Sequence, residues 1–403
     1  MATSPTAPLL ASSSAGQYLH AATDLRLESR KLEQPAPDEV QIAIRSTALC
    51  GSDLHYFQHF RNGDIHVKEP LCLGHEAAGQ IVALGSNAQV ANPGLSIGDA
   101  VALEVGVPCG SCEFCDTGCY NICPLLRFRG SGSKFPHYQG TLQERVNHPA
   151  KWVYKLPSSL SYDVGSLIEP LSVAVHSCRR AEAVTSRTGS KGCVIFGAGA
   201  VGLLCSVAAQ ASGWDRVVMV DIDPGRLQFA LEHGFASSIY AVEPKRGTTP
   251  EEKLAIARET ASRIAEQTWP DGGAVGKAHV AFECTGAEAC LQAAVYTTQS
   301  GGAVLVIGLG VPNHILPISE ATVREVTLIP TWRYANTYPR AIEIATASSS
   351  DANSLVNGKH LPDIRKLITH RFQGVESIPE AFKSAGKTKD QEGRLVVKTV
   401  VNF

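Results

Sequence analysis

Two stretches in the first third of the sequence carry the types of side chain that hold zinc in proteins. The segment CGSDLHY begins at Cys50, and a Gly-His-Glu triplet places His75 25 residues after it, followed by Glu76. Thiolate, imidazole and carboxylate together suit zinc, and a catalytic zinc needs three protein ligands and an open position for water or substrate. Cys50 alone would be interpreted as a core thiol and His75 alone as a satisfied histidine, but both beside Glu76 predict a catalytic metal site.

The second stretch, PCGSCEFCDTGCYNIC, contains four thiols separated by two, two and seven residues: Cys109, Cys112, Cys115 and Cys123. This spacing suits a tetrahedral zinc with four thiolate ligands. Thiols this close cannot all form unstrained disulfides, and four protein ligands leave no position for a substrate. We therefore predict a structural zinc here, with the fifth thiol, Cys119, as a bystander.

Residues 191–221 have the pattern of a dinucleotide site, namely a strand, a glycine-rich turn, a helix and a second strand that ends in an acidic residue. Gly197 and Gly199 permit the sharp turn and the close approach of a pyrophosphate, and Gly202 lets the helix pack against the strand. Asp221, 19 residues after Gly202, is placed to bind the adenosine ribose and to repel a 2′-phosphate. The pattern predicts NAD rather than NADP, whereas a bare glycine motif would fit a packing turn equally well.

The composition favours small-molecule chemistry over binding of nucleic acid or membrane. The 403 residues are 44% apolar with 36 glycines, enough for a large core and two domains. A formal charge of −2 with interspersed signs provides no basic field for nucleic acid. The longest apolar run, within residues 193–211, is interrupted by glycines and indicates a strand and a helix rather than a membrane span.

Residues 1–16 contain no lysine or arginine and no apolar stretch typical of a secretion signal, and we predict a disordered tail there. A chain without such a signal is expected in a reducing compartment, the cytoplasm. Clustered thiols in that compartment bind metal more often than they form disulfides.

The elements that must position these residues follow two patterns. Residues 17–50 alternate apolar and polar through VQIAIRSTALC, as a half-buried strand does, so the opening domain is predicted to be β-rich. From residue 191, strands alternate with helices, which predicts an α/β fold with a doubly wound parallel sheet. The segment 244–277 is long for one crossover and predicts a surface insertion near Trp269. Residues 325–344 are expected to leave this sheet, and the tail from Leu361 to return to the first domain.

Together, these motifs resemble the zinc-dependent medium-chain dehydrogenases, specifically their sorbitol (polyol) dehydrogenase branch. The resemblance covers roughly residues 17–400 and rests on CGSDLHY, GHE, the four-cysteine segment, LIEPLSV, GAGAVG, ECTGAEA, REV and WRYANTYP. It implies a GroES-like β-rich catalytic domain, residues 17–170 and 331–403, split around a Rossmann NAD-binding domain, residues 171–330. The complete four-cysteine segment is missing from some animal sorbitol dehydrogenases, so the chain looks more like a fungal or microbial polyol enzyme.

The resemblance implies that Cys50, His75 and Glu76 hold the catalytic zinc, with Glu169 as a fourth ligand directly or through water. Spacing alone would equally allow Glu169 to be a helix N-cap. Ser52 and His55 match positions that pass the substrate proton toward solvent, although polyol enzymes could instead use Glu169 and water. Asp53 matches a carboxylate that orients His75.

Two further sets of residues match family positions that would otherwise be ordinary packing or surface charge. The cofactor set adds to the glycines and Asp221 the residues Val201, Arg226, Ile307, Gly308, Leu309 and Trp332. The substrate set is Tyr56, Phe128, Glu169, Arg333 and Tyr334.

The resemblance therefore implies an NAD-dependent polyol dehydrogenase with two zinc ions per chain, assembled as a homotetramer. From the composition, no nucleic-acid or membrane partner is expected. Such an enzyme would oxidise sorbitol, and also xylitol, to the ketoses fructose and xylulose, reversibly. The alternatives are an L-arabinitol 4-dehydrogenase, a simple alcohol or threonine-type dehydrogenase of the same fold, and a catalytically silent relative that binds nucleotide. Retention of Cys50, His75, Glu76 and Glu169 argues against the silent relative.

Overall fold

The computed structural model describes residues 12–185, 192–214, 216–349, 355–356 and 358–403. The strands in these residues are β1 (Ser13–Ala21), β2 (Asp24–Lys31), β3 (Glu39–Ala48), β4 (Arg61–Asn62), β5 (Ile65–His66), β6 (Leu71–Cys72), β7 (Glu76–Leu84), β8 (Ala100–Leu103), β9 (Gly106–Val107), β10 (Arg127–Phe128), β11 (Arg145–Pro149), β12 (Val153–Lys155), β13 (Gly192–Phe196), β14 (Arg216–Asp221), β15 (Ser238–Ala241), β16 (Ala278–Glu283), β17 (Thr298–Val306), β18 (Thr327–Pro330), β19 (Ile368–Gln373) and β20 (Lys398–Asn402). The helices are α1 (Gly51–His59), α2 (Ala88–Ala91), α3 (Glu113–Asp116), α4 (Tyr162–Ser166), α5 (Ile168–Thr185), α6 (Ala200–Ala211), α7 (Pro224–Glu232), α8 (Pro250–Ala265), α9 (Glu288–Thr297), α10 (Ile318–Thr322), α11 (Tyr338–Ser348) and α12 (Ile378–Ala385).

The β-rich part of the chain is built on a seven-stranded sheet in the order β12-β8-β7-β3-β20-β19, with β11 also paired to β3. Strand β20 pairs antiparallel with β3 and places Val400 opposite Ala48, so the C-terminal tail returns to the first domain as predicted. Strand β3 is buried on both faces instead of half-buried. The alternation in its sequence misleads because β3 lies at the centre of the sheet and helix α4 packs on it.

The second sheet confirms the predicted α/β class. Its six strands are parallel and lie in the order β15-β14-β13-β16-β17-β18. The order reverses direction at β13, the strand that precedes the glycine-rich turn, and such a switch point is where nucleotides bind in doubly wound sheets. All five residues of β13 are buried, as expected for a central parallel strand covered by helices on both faces.

The prediction of a tail over residues 1–16 is wrong for its last part. Strand β1 begins at Ser13 and pairs along its whole length with β2, and Tyr18 and Leu19 within it are buried. Hydrophobic burial and ladder hydrogen bonds therefore order a segment whose first residues look featureless. Residues 1–11 lie outside the described residues.

Two predictions for the second domain also need correction. Residues 327–330, expected to have left the sheet, form its edge strand β18 beside β17. Trp269, expected on a surface insertion, is only 7% exposed and packs in the apolar core. The segment after α8 folds back on itself, with the Trp269 N–H donating to the Gly273 carbonyl at 2.8 Å, and this turn directs the indole inward.

Among the described residues, we find no helix that combines the length and the apolar composition needed to span a bilayer.

Candidate active site and zinc centres

The predicted ligands of the catalytic zinc converge at one end of the seven-stranded sheet. Cys50 precedes helix α1, and His75 and Glu76 lie at the start of β7. One ligand atom from each lies within 4.8 Å of the other two, and His75 and Glu76 are buried. A thiolate, an imidazole and a carboxylate at this separation are a donor set that fits zinc with a position left open.

Asp53 orients this group from within helix α1. Its Oδ1 atom lies 3.3 Å from His75 Nδ1, and its two oxygens accept the N–H groups of Gly74 and Cys50 at 3.0 Å each. Burial would raise the pKa of the Asp53 carboxyl, but His75 and the two backbone donors lower it overall. With Nδ1 held by a carboxylate, Nε2 is the ring nitrogen available to a metal. Ser52 Oγ lies 3.4 Å from that Nε2 atom.

Lys398 is a member of the site that sequence reasoning missed. Its Nζ atom lies 2.6 Å from the Glu76 carboxylate and also donates to the Leu49 carbonyl at 3.1 Å. Both charged side chains are buried. A lysine inside the apolar run VVKTVV was the available signal, because a buried charge requires a partner.

Glu169 lies near the start of helix α5, and it is 5% exposed. It shares a cavity with the three ligands but is not among the atoms grouped within 4.8 Å. Burial is the main cause that raises the pKa of the Glu169 carboxyl to about 7. Of its charged neighbours, His75 lowers this pKa and Glu76 raises it.

The cavity has a volume of ≈ 360 Å³ and brings together most of the predicted substrate and cofactor residues. Those that line it, besides the zinc ligands and Glu169, are Ser52, His55, Tyr56, Phe128, Val201, Ile307, Gly308, Leu309, Trp332 and Arg333. Tyr334 instead borders a smaller neighbouring cavity that also touches Arg333 and Phe128. The glycines, Asp221 and Arg226 lie at the adjoining glycine-rich turn rather than on the cavity wall.

Two polar side chains in the cavity wall are held in fixed positions. The Tyr56 hydroxyl lies 3.2 Å from Ser131 Oγ and accepts the Gly132 N–H at 3.1 Å. The Arg333 guanidinium lies 3.2 Å from the centre of the Phe128 ring, and its Nη1 atom has no hydrogen-bond partner among the described residues. Burial lowers the pKa of Arg333 to about 10. Ser131, which supports Tyr56, carried no signal in the sequence.

The glycine-rich turn has the geometry that a pyrophosphate requires. Gly197 has a φ of 100°, and a Cβ atom at Gly202 would lie 1.8 Å from the Gly197 carbonyl oxygen, so neither position accepts a side chain. Asp221 ends strand β14 beside this turn, where its carboxylate accepts the Ala198 N–H at 2.6 Å and the Asp223 N–H at 2.9 Å. Each oxygen keeps a lone pair for a ribose hydroxyl. The arrangement therefore fits a dinucleotide whose adenosine ribose carries no 2′-phosphate.

The four-cysteine lobe, residues 109–123, gathers the predicted structural ligands. Sulfur atoms of Cys109, Cys112, Cys115 and Cys123 lie within 4.8 Å of one another. Cys119 is exposed and outside this group, as predicted. The Ser111 backbone N–H lowers the pKa of the Cys109 thiol to about 6, which favours the thiolate form. Four thiolates in this geometry fit a tetrahedral zinc.

Comparisons with known proteins agree with this architecture. The family model described as alcohol dehydrogenase GroES-like domain matches residues 36–158, and that described as zinc-binding dehydrogenase matches residues 200–347. The chain is 39% identical to a sorbitol dehydrogenase of Gallus gallus over 93% of each chain. It is also 39% identical to an L-arabinitol 4-dehydrogenase of Aureobasidium melanogenum, over 89% of this chain and 86% of that one. A solved Escherichia coli oxidoreductase of unknown specificity superposes with a TM-score of 0.76 at 27% identity, covering 97% of this chain and 99% of that one.

Proposed function

We propose that this chain oxidises a secondary hydroxyl of a sugar alcohol to the ketone with NAD. The chain belongs to the zinc-dependent medium-chain dehydrogenases, in their polyol branch, and the proposal proceeds from that membership. Sorbitol and xylitol are the expected substrates, and fructose and xylulose the products. The observation that carries this proposal is the shared cavity, where a three-ligand zinc site, the nicotinamide side of a dinucleotide fold and the polar groups of Tyr56, Glu169 and Arg333 meet.

Cys50, His75 and Glu76 would hold the catalytic zinc, and Glu169, which lines the same cavity, is proposed as the fourth ligand through water. Bound zinc would supply a Lewis acid for the substrate hydroxyl, and bound NAD would supply the hydride acceptor. The chain orients the imidazole through Asp53 and balances the carboxylate of Glu76 with Lys398. Cys109, Cys112, Cys115 and Cys123 would hold the second, structural zinc.

The substrate proton has two candidate routes out of the cavity. Ser52 Oγ lies beside the metal-facing nitrogen of His75, and His55, an exposed residue on the next turn of α1, also lines the cavity. A proton taken by Ser52 could therefore pass to His55 and leave at the surface. Glu169, a buried carboxyl on the cavity wall, is the second candidate acceptor.

The substrate pocket suits a chain of hydroxyls better than a simple alcohol. Arg333, Glu169 and Tyr56 place polar side chains on the cavity wall. Leaving such buried groups unpaired costs about 1 to 3 kcal/mol each. The kcat/KM for ethanol should therefore be roughly 10²- to 10⁵-fold lower than that for sorbitol. Tyr334 borders the neighbouring small cavity together with Arg333 and Phe128.

A panel of sorbitol, xylitol, L-arabinitol, butane-2,3-diol and ethanol at fixed NAD, followed by NADH absorbance, tests the proposal. L-Arabinitol enters as a second candidate substrate because of the 39% identity to an L-arabinitol 4-dehydrogenase. The proposal expects high kcat/KM for at least one long polyol. Equal turnover of ethanol would indicate a simple alcohol dehydrogenase, and zinc-loaded protein without any turnover would indicate a silent nucleotide-binding relative.

The domain bounds, the location and the assembly state complete the proposal. We propose domains at residues 17–170 with 331–403 and at 171–330, in line with the two sheets, and strand β1 extends the first domain back to Ser13. The thiols of the cysteine lobe bind metal only when reduced, which supports a cytoplasmic location. From the family resemblance we propose a homotetramer, and light scattering on the purified protein tests it.

A further inference from the structure

The four-cysteine lobe is hydrogen-bonded to the segment that carries the proposed substrate residue Arg333. Asn121 Nδ2 donates to the Trp332 carbonyl at 2.8 Å. The Asn336 backbone N–H donates to the Tyr120 hydroxyl at 2.6 Å, and Asn336 Nδ2 donates to the Gly118 carbonyl at 2.8 Å. Residues 332–336, the substrate segment, are thus attached to the lobe at both ends.

The substrate segment needs such attachment because its own backbone is unfavourable. Residues 332–336 lie outside regular secondary structure, and Arg333 and Asn336 have φ angles of 52° and 56°. Residues with a Cβ atom seldom adopt this left-handed region unless their surroundings impose it. From the opposite side, Arg179 Nη2 donates to the Ala335 carbonyl at 2.8 Å.

Tyr120 connects the segment to a rigid part of the molecule. Its hydroxyl accepts from Asn336 and donates to Glu104 Oε1 at 2.7 Å, just after strand β8. Both Tyr120 and Glu104 are buried, and the Tyr120 ring packs against Trp152 with 4.9 Å between ring centres. The Tyr120 hydroxyl therefore connects the substrate segment to the seven-stranded sheet.

Arg333 also contacts the segment that follows the lobe. Phe128, whose ring centre lies 3.2 Å from the guanidinium, is in strand β10, five residues after Cys123, the last residue of the lobe. Both the ring and the guanidinium form the cavity wall. We infer that Tyr120 and Asn121 are positioning residues that fix Arg333 for long polyols, so that the cysteine lobe helps to set substrate selectivity in addition to stabilising the fold. The inference rests on the proposed function, since it needs Arg333 to contact a polyol.

Two substitutions test it. Tyr120→Phe removes the shared hydroxyl, and Asn121→Asp replaces the donor to the Trp332 carbonyl with a second acceptor of the same shape. For each we expect KM for sorbitol or xylitol to rise about 10-fold or more, with kcat and KM for butane-2,3-diol changing less than about 3-fold. Zinc content measured on the same samples should remain that of the wild type. Asp116→Asn, an exposed change in the same lobe, is the matched control and should leave both substrates unaffected.

The outcomes separate this inference from the proposed function. If the wild type oxidises polyols and Arg333→Ala impairs only the long ones, but both lobe variants treat long and short substrates alike, the inference is overturned and the function stands. If the two variants lost zinc, or lost activity equally with the long and the short substrate, the lobe would have a structural role only. A wild type that oxidises no polyol would remove the function and, with it, the inference.

Discussion

The Lys398 ammonium group lies 2.6 Å from the carboxylate of Glu76, and both side chains are almost completely inaccessible to solvent. The pair joins the last strand of the chain to a proposed zinc ligand near its beginning. A buried carboxylate without metal or counter-ion is strongly unfavourable, so the lysine compensates its charge whenever the metal is absent.

Replacing this lysine should destabilise the metal-free protein far more than the zinc-loaded protein. Lys398→Met leaves the Glu76 charge without its ammonium partner, and breaking a buried pair in this way costs about 3 to 5 kcal/mol. With zinc bound, the metal takes over part of the compensation, and the loss should be smaller. Urea unfolding with and without a chelator measures the difference.

The double variant Lys398→Met with Glu76→Gln is the control, because it removes both charges. It should recover much of the stability lost in the metal-free single variant. If Lys398→Met cost the same with and without zinc, the charge argument would be wrong and the effect would be one of packing.

A second prediction concerns the carboxylate behind His75. Asp53→Asn preserves the shape of the side chain but weakens the contact to His75 Nδ1 and places an amide opposite a backbone N–H. Loss of such a supporting partner typically lowers metal affinity 10- to 100-fold. Chelator competition followed by elemental analysis should show that the catalytic zinc leaves more readily than in the wild type.

The cysteine lobe provides the internal control for this experiment. Its four thiol ligands form a group separate from Cys50, His75 and Glu76, so a zinc held there should be retained at equal chelator concentration in both proteins. Fully active wild-type protein with fewer than two zinc ions per chain would contradict the assignment of both centres. Loss of both ions together in Asp53→Asn would point to unfolding instead.

The features that sequence predicts best here are those encoded by local spacing. The glycine turn, the four cysteines of the lobe and the alternation of strands with helices each lie within a short stretch, so their geometry follows from neighbouring residues. The Gly202 position, where a Cβ atom would lie 1.8 Å from a carbonyl oxygen, shows how strictly such a local pattern is imposed.

The features that sequence does not predict depend on contacts between distant residues. Lys398 is 322 positions from Glu76, and Asn336 is 216 positions from Tyr120. No periodic pattern in the sequence predicts such contacts, and tyrosine and asparagine are common in loops without a role of this kind. Tyr18 and Leu19 of strand β1 lie opposite Cys72 and Leu71 of β6, and the Trp269 ring lies beside Gly192, so the burial of these residues also depends on partners elsewhere in the chain.

A third prediction concerns the choice of cofactor. The Asp221 carboxylate adjoins the glycine turn, where it should repel a 2′-phosphate, and the neighbouring Ile222 side chain is 66% exposed and free to be replaced. Asp221→Ser combined with Ile222→Arg removes the repulsion and adds a guanidinium that can pair with phosphate. Initial rates with NAD and NADP should show preference moving toward NADP.

Ile222→Arg alone is the matched control for this change. With Asp221 intact, it should retain NAD preference, because the carboxylate still occupies the position of the phosphate and can pair with the new arginine. A wild type that already used NADP as well as NAD would contradict the role given to Asp221.

The last prediction concerns Glu104, the buried carboxyl that accepts the Tyr120 hydroxyl. Burial raises the pKa of Glu104 from 4.5 to about 7. Between these values the folded protein holds the proton that the unfolded chain releases, so its free energy of unfolding falls as pH rises through this window. The full loss, reached above about pH 7, amounts to about 3 kcal/mol.

Glu104→Gln keeps an oxygen for Tyr120 but cannot ionise, so it should unfold at higher denaturant concentration than the wild type at about pH 8 and show a smaller advantage at about pH 5. Glu182→Gln, an exposed change on α5, should show no such divergence. If the stability difference between Glu104→Gln and the wild type were the same at both pH values, the carboxyl would not be neutral in the folded protein. The Tyr120 hydroxyl would then face a carboxylate, and its bond to Glu104 would be a charged one.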